Sequence, residues 1–109
     1  MERKPGQQSV SETEAFATLS EYLELALDKG SNLVMVRNQD GTSTLYVGDV
    51  GLSEEDLKKC GVVQNALADA ILEATEFGFN ELSINGFAFR FMRAFTQVGS
   101  RGAVVFALV

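Results

Sequence analysis

Two stretches of this chain are apolar at every position, Leu33-Val34-Met35-Val36 and Ala103-Val104-Val105-Phe106-Ala107-Leu108-Val109. A strand with one face to water alternates apolar and polar residues, whereas a strand apolar on consecutive residues is buried on both faces. Both runs are too short for ordinary helices and rich in valine, so they read as strands. They are predicted to lie together at the centre of a sheet, and every other element must be placed around them.

A helix precedes the first run. Ser11 and Glu14 form a capping box, Phe16, Leu19, Leu23, Ala26 and Leu27 recur at helical spacing, and Gly30 suits a left-handed stop. After the first apolar strand, Gln39-Asp40-Gly41-Thr42 supplies hairpin turn chemistry, with Asp40 as a turn former. The return strand, Thr44 to Asp49, alternates. Ser53 with Asp56 is a second capping signal, and acids such as Glu54 and Glu55 favour a helix start. The apolar positions Leu57, Cys60, Val63, Leu67, Ala70, Ile71, Ala74 and Phe77 then hold a helical stripe, predicting a second helix over Val62–Phe77. Gly61 costs ~1 kcal/mol inside a helix, which favours a start after it.

The remainder is a strand meander. Leu82-Ser83-Ile84 is short, Asn85-Gly86 is a hairpin signal, and Phe87 to Thr96 is a long strand with Phe87, Phe89, Phe91 and Phe95 on one side. Gly99-Ser100-Arg101-Gly102 turns the chain into the second apolar run. The expected fold class is α/β (α+β), with element order α-β-β-α-β-β-β. Hairpin neighbours around the central pair give a five-stranded antiparallel sheet of order 2-1-5-4-3. Two helices and a sheet apolar on both faces predict one helix on each face. Residues 1–10 read as a flexible tail and residues 11–109 as one domain.

The residue inventory narrows the function. Histidine is absent, which removes the commonest general base and metal ligand, and one cysteine cannot build a thiolate zinc site. No glycine pattern cradles a phosphate. No catalytic residue, cofactor or metal is expected. The formal charge of -6 argues against a nucleic-acid partner. No apolar run is long enough to span a bilayer, and no secretory signal follows the basic residues of MERKPGQQSV, so the expected address is the cytoplasm. Cys60 reads as a small core residue rather than a reactive thiol. The phenylalanine row reads as core, since too few basic residues interleave with it to stack bases.

Residues 11–81 hold fourteen acids against Lys29, Arg37, Lys58 and Lys59. Residues 82–109 hold Arg90, Arg93 and Arg101 and no acid. Arg90 and Arg93 are therefore candidate contacts for an acidic partner, weighed against a solvated strand edge. The short strand at Leu82–Ile84 is left at a sheet edge, and an uncovered edge invites pairing with another sheet, as in a symmetric dimer.

The run Leu33–Gly41, the helix Val62–Phe77, the strand Glu81–Ile84 and the terminal Ala103–Val109 together resemble the roadblock/dynein light chain family. The resemblance rests on topology and pattern over residues 13–109. It implies a non-catalytic homodimer joined through the second helix and third strand, with Leu67, Ile71, Ala74, Leu82, Ser83, Ile84 and Asn85 at the seam. It also implies an adaptor or regulator of another protein, in bacteria a small Ras-like GTPase. Two other classes fit in part. Type III secretion chaperones are small, acidic α/β dimers that wrap an unfolded effector segment, but usually carry a third strand before the long helix and a final helix. A profilin-like sensory domain would bind a small ligand, for which no polar anchor is apparent.

Overall fold

The computed structural model describes residues 10–49 and 57–109. The element order is α1 (Glu12–Lys29), β1 (Asn32–Arg37), β2 (Thr42–Gly48), β3 (Lys58–Gln64), α2 (Asn65–Ala74), β4 (Gly78–Ile84), β5 (Phe87–Val98) and β6 (Arg101–Leu108). All six strands form one antiparallel sheet of order β3-β2-β1-β6-β5-β4. The two all-apolar runs do pair at its centre, with Leu33 opposite Phe106 and Val36 opposite Ala103.

Local chemistry sets the element ends. The Ser11 hydroxyl accepts the Glu14 amide at 3.1 Å, and Gly30, at φ 64°, closes α1 with amide bonds from Gly30 and Ser31 to Leu27 and Ala26. The Thr42 hydroxyl donates to Asp40 at 2.5 Å and the Thr42 amide at 3.1 Å, and these bonds hold the carboxyl below its usual range. Asn85 and Gly86 both take positive φ, 52° and 84°, the conformation a two-residue hairpin requires.

Two expectations are corrected. Val62–Phe77 is not one helix: Lys58–Gln64 is the strand β3, and α2 spans only Asn65–Ala74. The sheet accordingly has six strands rather than five, the added one lying outside β2. The cause is a β-bulge. Leu45 faces Gly61 and Tyr46 faces Lys59, so Cys60 is the extra residue. Cys60 and Val63, three apart, therefore both pack against the same core, and the bulge imitates a helical spacing. Gly61 lies directly under Tyr22, whose hydroxyl would stand 2.0 Å from an added Cβ. The capping signal at Ser53 and Asp56, like the acids Glu54 and Glu55, lies outside the described residues.

Second, the two described helices do not divide between the faces. α1 and α2 pack on the same one, where Ala15, Leu19, Leu23, Ala26, Ala68 and Ile71 meet Leu33, Met35, Leu45, Val47, Phe89, Phe91 and Phe106. The other face buries a strip of small residues, Val34, Val36, Val98, Ala103 and Val105, against Leu57, Tyr46, Ala94 and Ala107. Among the described residues, Leu57 packs over this strip. Each fully buried leucine or isoleucine of the helical side contributes about 1.5–3 kcal/mol relative to exposure.

Replacing Gly61 by alanine should destabilise the fold by about 1–3 kcal/mol in urea unfolding, because the Tyr22 ring must move. The cost should shrink in a Tyr22→Phe background, where the nearest atom is gone. Equal costs in both backgrounds would show that Tyr22 does not constrain position 61.

Candidate protein-binding surface

The sheet has two edges with different chemistry. β3 carries exposed Lys58 and Lys59 and a bulge, both devices that discourage edge pairing. β4 has neither lysine, proline nor a bulge in its pairing with β5. Its single charge, Glu81, is neutralised by Arg90 directly opposite on β5, at 2.6 Å. Phe79 projects from β4 beside Met92, its cross-strand neighbour, and both are exposed (54% and 44%).

The row of phenylalanines on β5 is core only in its middle. Phe89 and Phe91 are buried, but Phe87 and Phe95 are 64% and 75% exposed. The row from Phe87 to Phe95 is roughly 27 Å long at ~3.4 Å per residue. A helix is only ~10 Å wide, so helices crossing a sheet cover the centre of such a row and leave its ends bare. Phe95 instead stacks at 5.7 Å on Phe77, also exposed, at the entry to β4. Phe77 and Phe95 thus meet on the helical side where β4 begins, while Phe79 and Met92 lie side by side on the opposite face.

The candidate contact residues separate. Arg90 is exposed and paired to Glu81. Arg93 points to the helical side and is used internally, its guanidinium donating to the carbonyls of Leu72 (2.7 Å) and Thr75 (3.0 Å) and to the Thr75 hydroxyl (2.9 Å). These acceptors lie at the C-terminus of α2, where carbonyls lack a full set of helical partners and a cation is favoured. Asn80 holds the same turn, accepting the Glu76 amide at 2.8 Å and donating to the carbonyls of Glu76 and Gly78. Of the seven seam candidates, Ile71 and Ile84 are closed in the core of a single chain. Leu67, Ala74 and Leu82 are half-buried, and Ser83 and Asn85 are exposed on the β4 hairpin.

Beside the aromatic cluster the helical face opens into a groove of about 860 Å³. Met35, Val104, Leu72 and Phe95 form its apolar walls, and Arg37, Ser43, Thr96 and Gln97 are its polar members. Arg37 pairs with Asp69 of α2 across the groove's rim, and the Ser43 hydroxyl donates to Asn65 at 2.7 Å. Among the described residues no group of three or more acidic, cysteine or histidine side chains could hold a metal. Nor is any described helix long and apolar enough to cross a membrane. Cys60 donates to the Leu45 carbonyl at 3.2 Å, and burial pushes its thiol above the usual range. Burial likewise raises the Tyr22 phenol.

A scan against protein-family models finds no match for this chain, and searches of curated proteins and of solved structures find none either.

Arg93→Met should cost about 2 kcal/mol in urea unfolding, since three hydrogen bonds to the end of α2 are lost. Arg90→Met should change stability by no more than about 0.5 kcal/mol. Equal small effects would return Arg93 to the role of a surface cation. Cys60 should alkylate slowly at pH 8, where its raised pKa keeps it a thiol, and rapidly once urea unfolds the chain.

Proposed function

We propose that this chain is a non-catalytic, homodimeric protein-binding module, an adaptor or regulator, whose two copies join at β4. The observation that carries the reading is the contrast between edges: β3 is guarded by lysines and a bulge, β4 is bare and flanked by exposed Phe79. Exposed strand edges of that kind are ordinarily blocked or paired. Phe79 and Met92, side by side on one face of this edge, together expose roughly 200 Å² of mostly apolar surface, taking ~200 Å² for each full side chain. That is about a quarter of the ~800 Å² that each partner contributes to a standard interface, the backbone of β4 itself supplying further contact. Leu82, Ser83 and Asn85 lie along the same hairpin and would border the seam. Ile71 and Ile84 would support it from within.

The partner that the roadblock resemblance implies is a small Ras-like GTPase. The sheet departs from that resemblance in strand number and in the placement of its helices, so the broader reading, a module for another protein, is preferred. One observation favours a second reading, a type III secretion-type chaperone: a third strand, β3, does precede α2, a feature expected of that class. In that case the bound segment would remain unfolded and protease-sensitive within the complex, whereas an adaptor's partner would stay folded.

Sedimentation at micromolar concentration should give a species near twice 11.8 kDa. Phe79→Lys, which gives β4 the guard that β3 already has, should shift it to monomer while leaving the circular dichroism spectrum intact. A wild-type monomer, or a dimer indifferent to Phe79→Lys, would remove the β4 seam.

A further inference from the structure

β5 is twelve residues long, and neither neighbour covers all of it. β4 pairs with it only from Phe87 to Arg93, where Gly78 is the last partner, while β6 follows it from Phe91 to Val98. Along Ala94–Val98 the side that β4 occupies lower down has no strand among the described residues. The polar backbone groups there can be assigned. Arg90 accepts the Val109 amide, so even-numbered residues direct their backbone groups toward the β6 side. Alternation then turns Phe95 and Gln97 toward the empty track. The track is about 17 Å long at ~3.4 Å per residue. It is walled by the Phe77–Phe95 stack, and Phe95 and Gln97 lead from it into the groove of about 860 Å³.

Acidic side chains of α2 and its exit border this track. Asp69, Glu73 and Glu76 recur at spacings of four and three along α2 and its exit, beside Leu72 of the groove wall. Asp69 is neutralised by Arg37, but no ion pair among the described residues engages the exposed carboxylates of Glu73 and Glu76. Arg93, the nearest cation on β5, is held against the carbonyls that end α2.

We infer that Ala94–Val98 is a docking track for an extended segment of a partner protein, about five residues long, apolar on alternate positions and flanked by lysine or arginine. The segment adds a strand in line with β4. Phe95 and Gln97 exchange backbone hydrogen bonds with it, its apolar side chains enter the groove against Leu72 and Phe95, and its basic flank faces Glu73 and Glu76. This rests on the protein-binding reading but not on the β4 seam, which uses a different edge.

The test is fluorescence anisotropy with a labelled Lys-Val-Thr-Val-Thr-Val-Lys peptide, its glutamate-ended counterpart, and a lysine-ended version N-methylated on alternate residues. The lysine-ended peptide should bind saturably. The glutamate-ended and N-methylated peptides should each bind at least tenfold more weakly, and Phe95→Ala should weaken binding by a similar factor. Glu73→Lys with Glu76→Lys should reverse the preference between charged ends, a readout that a folding defect cannot produce. Absence of saturable binding, or binding unaffected by both N-methylation and Phe95→Ala, would overturn the assignment. Sedimentation of the same samples separates the two readings: a dimer that ignores every peptide leaves the β4 seam standing and the track refuted. A dimer dissolved by the peptide would make a second copy the occupant of the track, which would also overturn it.

Discussion

The antiparallel contact between β1 and β6 organises the rest of the molecule. Val34 and Val36 point to one face and Leu33 and Met35 to the other, and all four are buried. A strand of this composition has no orientation in which one face meets water, so it must be interior to the sheet with apolar neighbours on both sides. β6 is the only other strand with apolar residues in succession over most of its length, and pairing the two satisfies both. Once that pair is fixed, hairpin connections place β2 beyond β1 and β5 beyond β6, and the outer strands β3 and β4 follow at the two edges.

Much of this was legible from residue order, because turns and caps are local. Ser11, Gly30, Gly41, Asn85 and Gly86 each act where their chemistry requires a cap or a positive φ. Two things were illegible for a specific reason. A bulge adds one residue to a period of two, so Cys60 and Val63 mimic the spacing of a helix, and the stripe running on through Leu67 and Ile71 extends the imitation. Only Gly61 and the valine pair after it, all poor helix formers, spoke for a strand. The number of helical layers was also undecided by patterning, since alternation tells which faces are apolar but not what covers them.

The aromatic residues of β5 teach a similar lesson about reach. Their common side was correctly read from alternation, yet burial depends on how far the covering layer extends. Phe89 and Phe91 sit beneath it and Phe87 and Phe95 beyond it. The signal was available in the length of the row against the width of a helix. Arg93 illustrates the converse. In sequence it is one of three arginines in an acid-free segment, and nothing local distinguishes it from Arg90. Only the return of α2 over the sheet brings carbonyls within reach of one and leaves the other facing Glu81.

That return also accounts for the uncovered end of β5. α2 is ten residues long, about 15 Å, and its C-terminus is fastened to the middle of β5 by Arg93. The chain then needs only Thr75, Glu76 and Phe77 to enter the sheet, so β4 cannot begin before the position opposite Arg93. A longer helix would have carried its end past β5 and buried Phe95. A weaker anchor would have let β4 start earlier and cover Ala94–Val98. The same three hydrogen bonds that close the turn after α2 therefore set where β4 begins, and with it the stretch of β5 that β4 leaves uncovered.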